Sequence, residues 1–182
     1  MTVNCPLDCV YLQEARRHER LQEPDPRDFP NTDVRVDESF LQKNEALLIL
    51  LASAIARGAL ATSGAIDDDV KAALDGLVRT YKTLQSGLVY DARPENPLAA
   101  RIYTAVQEAT EDVRTRLAEH GQSLRDSDVL GILAFLQRVE IQRNNGRPKG
   151  RAFIDFLRGF FPAGGPNPAE SGPDSGSLIH TS

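Results

Sequence analysis

The chain has 182 residues, 41% of them hydrophobic, and a formal net charge of −5. That length suits one compact domain, or one domain with tails, and the apolar share can supply a core. The acidic balance disfavours nucleic acid and anionic membrane as partners, and the first residues show neither the basic segment nor the apolar run of an export signal.

The chain opens with NCPLDCVYLQEARRHE, residues 4–19, which holds both cysteines and one of three histidines. We read residues 1–22 as an N-terminal cysteine-containing helix, with Cys5 near its N-cap and Pro6 in its first turn. Cys5 and Cys9 then lie one turn apart on one face and can donate two thiolates to a metal, as in a zinc or iron–sulfur site. His18 is nine residues beyond Cys9; at ~100° and ~1.5 Å per residue it falls on the opposite side of the helix and ~13 Å along it. A continuous helix therefore denies His18 to that metal, and Asp8, His120 or a second copy of the chain would have to complete the set. Redox chemistry is the other possibility, because a thiol at a helix N-terminus is held toward its thiolate by the dipole. The plain alternative is that both cysteines are small apolar packing groups. Two cysteines four residues apart without an export signal point to a reducing compartment, so the expected location is cytoplasmic.

Residues 23–36 form a linker rich in proline and acid that stops the first helix. Residues 37–161 carry helical patterns and no run of alternating strand residues. Asp37 is a good N-cap, and Phe40, Leu47, Leu48, Leu51 and Ile55 lie on one face of a helix that Gly58 can end. The run ALLILLASAIA, residues 46–56, has 11 residues where a membrane span needs ~20, so it is expected to be a buried helix. The next helix opens near Asp67, where three successive aspartates suit the positive end of the dipole. Its stripe of Val70, Leu74, Leu77, Tyr81, Leu84 and Leu88 alternates steps of four and three, as bundle helices do.

Asn96 followed by Pro97 is a strong helix start. The stripe Ile102, Val106, Ala109, Val113 and Leu117 follows, and Gly121 closes it, with Glu108, Glu111, Asp112, Arg114, Arg116 and Glu119 on the water side. Residues 127–142 are apolar almost all round and should form the central helix. Phe153, Phe156, Phe160 and Phe161 then build a face that closes the bundle. Residues 162–182, rich in Pro, Gly and Ser, are expected to be disordered. The fold class is therefore all-α: an antiparallel helical bundle of about five to six helices with a disordered C-terminal tail, since short connections make neighbours antiparallel.

One stretch breaks the acidic trend. Residues 138–161 hold six basic and two acidic residues, against 15 and 22 in residues 1–137. Arg143, Arg147, Lys149 and Arg151 gather in the connection before the last helix. Bare amide groups at that helix start, with Lys149 and Arg151 beside them, make a site for a phosphate, a carboxylate or an acidic partner segment. No Walker, zinc-protease, nucleophile-elbow, dinucleotide or EF-hand motif is present, and a di-iron bundle would need paired Glu-x-x-His motifs.

The leading expectation is thus a helical binding or interaction protein without a catalytic site, whose partner is a protein or a small anionic ligand and whose oligomeric state, a dimer included, is open. A metal or thiol sensor using Cys5 and Cys9 is the first alternative. An enzyme on a helical scaffold, with a site that one sequence does not display, is the second.

Overall fold

The computed structural model describes residues 29–161, which contain six helices and no strand. In chain order these are α1 Glu38–Lys43, α2 Glu45–Ala61, α3 Asp67–Gln85, α4 Pro97–Glu119, α5 Asp126–Arg143 and α6 Ala152–Phe160. Around the bundle, α2 packs on α4 and α5, and α3 packs on the same two helices, which leaves α2 opposite α3. α6 closes one end against α2, α3 and α5. Leu51, Ile55, Leu74, Leu77, Ile102, Ile132 and Leu133 fill the centre with no exposed surface. Each such side chain contributes about 1.5–3 kcal/mol relative to exposure. Among the described residues no helix is long and apolar enough to cross a membrane; within the run 46–56, Leu47 and residues 51–56 are buried in α2, whereas Ala46 and Ile49 are exposed.

Several helix ends follow their local chemistry. Asp37 caps α1 by accepting the Phe40 N–H at 2.8 Å, and Asn96 caps α4 by accepting the Leu98 N–H at 2.9 Å with Pro97 behind it. Two ends differ from the sequence pattern. The helix expected to run from Asp37 to Gly58 is two helices, because Asn44 turns its side chain back onto the Phe40 carbonyl at 3.0 Å and breaks the first turn. Gly58 does not end the second. It lies where α4 crosses, and a Cβ there would stand 3.1 Å from the Ala105 Cβ and 3.3 Å from the Ile102 Cα. Its carbonyl instead accepts the Thr62 hydroxyl at 2.7 Å beside the helix end.

The α3 stripe stops at Leu84. Gly87 takes φ +76°, which a side chain resists. The Leu88 N–H then bonds the Thr83 carbonyl and the Gly87 N–H bonds that of Leu84, the paired closure of a glycine-terminated helix. Leu88 consequently projects into solvent with Val89 and Tyr90.

Pairing along the helices gives their directions. Glu140 and Gln137 of α5 meet the first half of α3 near Lys71 and Asp75, so α5 runs against α3. α4 does the reverse. Asn96 meets Asp69, Tyr103 meets Thr80 and Gln107 meets Tyr81, so α3 and α4 run side by side in the same direction. This pair departs from the antiparallel rule because the connection 86–96 travels back along α3 before α4 begins. Thr80 Oγ1 accepts the Ala92 N–H at 2.9 Å on that return path, and the Ala92 carbonyl would stand 2.6 Å from a Cβ placed on Gly76. Tyr103 pins the return segment. Its hydroxyl donates to the Asp91 carboxylate and accepts from Gln107 Nε2 at 3.0 Å.

The last helix buries Phe153, Ile154 and Leu157 rather than all four phenylalanines. Phe160 is exposed and Phe156 half-buried, because a helix of nine residues turns only one face to the core. Phe156 packs edge-on to Phe160, at 5.2 Å between ring centres.

Candidate functional site

Three successive aspartates organise one end of the bundle, and each does different work. Asp69 Oδ2 accepts the Ile66 N–H at 3.0 Å, which serves its own helix, while its Oδ1 accepts the Asn96 side chain at 2.6 Å and so ties in the start of α4. Asp67 is buried and serves α6: its two oxygens accept the N–H groups of Phe153 at 3.0 Å and Ile154 at 3.1 Å. Its own N–H donates to the Gly150 carbonyl at 2.8 Å. Asp68 points outward. The expected helix-start role is correct for Asp69, but Asp67 caps a helix more than eighty residues later in the chain.

This arrangement corrects the reading of the last helix start as a bare anion site. An anion does sit there, and it is the carboxylate of Asp67. The basic loop before it is held by two asparagine side chains and one backbone bond of its own: Asn144 Oδ1 accepts the Gly146 N–H at 2.9 Å, Asn145 Oδ1 accepts the Arg147 N–H at 3.1 Å, and the Gly150 N–H bonds the Arg147 carbonyl at 2.8 Å. Lys149 adopts φ +60°, in the left-handed region that a lysine rarely enters. Arg143, Arg147 and Lys149 are exposed, and Arg151 is half-buried at the N-cap of α6. The Arg143 guanidinium lies 4.4 Å above the Phe156 ring, a cation–π contact.

Beneath the loop lies a residue that the sequence reading passed over. Glu140, in the last turn of α5, is 0% exposed. Its Oε1 accepts the Asn144 side-chain amide at 2.8 Å, and its Oε2 is buried with no hydrogen-bond partner among the described residues. Glu140 lines a cleft of about 480 Å³ together with Asp68 and Lys71 from α3, Ile141 and Asn144 from α5, and Gly146, Arg147 and Pro148 from the loop. Burial is the largest cause raising the carboxyl, Asn144 and the Lys71 ammonium pull it down, the charges of Asp67 and Asp75 raise it, and together they push it up to about 7. At neutral pH a substantial fraction is therefore the neutral acid, which can donate a hydrogen bond from the oxygen that lacks a partner.

The signal for Glu140 was present in the sequence. Leu133, Leu136 and Glu140 are spaced three and four apart, so the acid falls on the core stripe of an apolar helix.

Cys5, Cys9 and His18 lie outside the described residues. Among the described residues no group of three or more His, Cys, Asp or Glu side chains could hold a metal ion, and His120 is exposed. Tyr81 and Tyr103 are buried between α3 and α4, whereas Tyr90 is exposed. Arg114, expected on the water side, reaches over to α5: it pairs with Asp126 at 2.9 Å and donates to the Leu124 carbonyl at 3.2 Å. Comparison with protein-family models, curated proteins and solved structures finds no match for this chain.

Proposed function

We propose that this chain is a binding module, and that its recognition surface is the α5–α6 connection carrying Arg143, Arg147, Lys149 and Arg151. The partner is an acidic segment of another protein. The observation that carries this reading is the exposure of Arg143, Arg147 and Lys149 on a connection held in one shape at both ends. Asp67 fixes one end through Gly150, Phe153 and Ile154, and Asn144 fixes the other through Glu140 and Gly146. Basic groups on a rigid loop lose little freedom on binding, which favours affinity, and their charge steers an acidic partner toward them.

The test is an amide-resolved NMR titration of the full chain with a Glu-rich peptide. Shifts concentrated in residues 143–151, weakened by salt and lost in a Arg143→Glu/Lys149→Glu variant, support the reading. Shifts spread over the whole surface, unaffected by the charge reversal, overturn it.

A further inference from the structure

We propose that Arg143, Phe156 and Phe160 form one docking platform at the edge of the basic connection. Its occupant is an acidic segment of another protein that carries a large apolar side chain close to its acid. The platform defines the partner of the recognition surface more closely and rests on that reading in that Arg143 belongs to both.

The cationic end of the platform is held in place from below. Arg143 is the last residue of α5, and its guanidinium lies 4.4 Å above the ring of Phe156 in the middle of α6. Phe156 in turn stacks on buried Phe153, at 6.3 Å between centres and 21° between planes, so the ring under the cation has a fixed seat. A guanidinium over a ring has one face covered and keeps its N–H donors in its own plane. Arg143 makes no hydrogen bond or ion pair with another described residue. Its donors are a preset fork for a carboxylate, which a planar guanidinium takes in two parallel bonds.

The apolar end is Phe160. It is 66% exposed and stands apart from the core, against which Phe156 and Phe161 are partly packed. Phe153, Ile154 and Leu157 are the residues that α6 buries, so docking of the helix does not call for Phe160. One exposed ring is ordinary by itself. Phe160 differs in its neighbours: it meets Phe156 edge-on at 5.2 Å and Phe161 at 6.4 Å, and so extends an aromatic surface that ends in a cation. Gly159 beside it keeps the approach open, since a Cβ there would meet nothing within 4 Å.

Charge complementarity selects the occupant. Asp155 is the only acid between residues 141 and 161, and it is paired with Arg158 at 3.2 Å. The stretch therefore has no spare acid for Arg143, and the partner supplies one. Spacing suits an extended peptide, in which side chains two residues apart lie on one side at a distance of about 7 Å. A glutamate and a leucine so placed reach Arg143 and Phe160 together, across the steps of 4.4 Å and 5.2 Å that pass through Phe156. Rings beside a guanidinium also suit unstacked bases, but the net charge of −5 opposes a nucleic acid.

The experiment measures fluorescence anisotropy of labelled probes against the full chain. The probes are a Ser-rich peptide containing Glu-x-Leu, the same peptide with serine for the leucine, the same with glutamine for the glutamate, and a single-stranded DNA. The Glu-x-Leu peptide is expected to bind about tenfold or more tightly than either altered peptide. Phe160→Ser, at an exposed position that leaves Tm unchanged, is expected to abolish the advantage of leucine without weakening the leucine-free acidic peptide. Arg143→Lys keeps the charge and is expected to weaken both glutamate peptides severalfold, because an ammonium does not replace the fork. No advantage of leucine, an advantage that survives Phe160→Ser, full affinity in Arg143→Lys, or tighter binding of DNA would each overturn the proposal. So would a platform already covered in the peptide-free chain, shown by Phe160 ring contacts to another part of the chain or by self-association that Phe160→Ser abolishes. Charge-dependent acidic-peptide binding at residues 143–151 with no advantage of leucine overturns the platform and leaves the loop reading standing. Leucine-dependent binding indifferent to glutamate overturns both.

Discussion

The carboxylate of Asp67 accepts the backbone N–H of Ile154 at 3.1 Å, joining the first residue of α3 to the first turn of α6. Its second oxygen takes the Phe153 N–H at 3.0 Å. Two otherwise orphaned donors at a helix start are thereby satisfied by a charged acceptor, which is stronger than a neutral one. The same contact anchors the far end of the basic loop, so the docking of α6 and the shape of that loop depend on one side chain.

Asp67→Ala should therefore cost more than the loss of an ordinary surface acid. We expect destabilisation of about 2–4 kcal/mol, since two charge-assisted bonds go and two buried donors lose their acceptor. Urea unfolding measures the total. Amide hydrogen exchange at Phe153 and Ile154 locates it, with protection lost there before it is lost in α4. An unchanged urea midpoint would contradict the role assigned to Asp67.

Glu140 sets a stability profile whose sign is fixed by its environment. The carboxyl titrates at about 7 in the fold against an ordinary 4.5. Between these values the folded state binds more protons than the unfolded state, so unfolding free energy falls as pH rises through that window and levels off above it. Glu140→Gln removes the slope. The variant should be more stable than the wild type above neutrality by roughly 3 kcal/mol, with the difference shrinking toward pH 4.5. Parallel denaturation series across pH check this, and equal slopes in both proteins would refute it.

Tyr103 holds the return segment 86–96 beside α3. Tyr103→Phe deletes the hydroxyl shared by Thr80, Asp91 and Gln107. A loss of about 1–3 kcal/mol is expected, because Gln107 and Thr80 are left with unmet hydrogen-bonding capacity. The amide of Ala92, bonded to Thr80 Oγ1, should exchange faster in the variant. A change in stability without faster exchange at Ala92 would place the effect elsewhere.

Gly76→Ala tests the same packing from the other side. The added methyl would meet the Ala92 carbonyl at 2.6 Å and Pro94 Cδ at 3.3 Å. Backbone cannot swing aside as a flexible side chain can, so the gain in helix propensity should be outweighed by about 1–3 kcal/mol of overpacking. Thermal unfolding reads the balance. A stabilised variant would mean that residues 92–94 do not lie against α3.

Features set by neighbours in the chain were legible in the sequence. Asn96-Pro97, Asp37 and Gly121 mark real helix boundaries because a cap is a local hydrogen bond. The spacing of Ile102 and Val106 named a buried face for the same reason. Features set by distant partners were not legible. Asp67 is an ordinary helix-start acid until Ile154 arrives beside it, 87 residues later. Gly58 is a helix end by composition and a helix crossing by contact with Ala105. Leu88 fits the α3 stripe, yet the turn at Gly87 removes it from the helix. Glu140 was hidden differently. Its place on the core stripe was visible, but the cleft it lines exists only when α3 and the basic loop come together around it.

The claim that most needs a direct measurement is that the cleft is built around a carboxyl that stays neutral well above the usual range. We would titrate the Glu140 side-chain carbon of the unliganded full chain by NMR, assigned against Glu140→Gln. A midpoint of about 7 is predicted. A midpoint near the ordinary 4.5 would mean that Glu140 is solvated and ionised, and the cleft would hold no neutral acid.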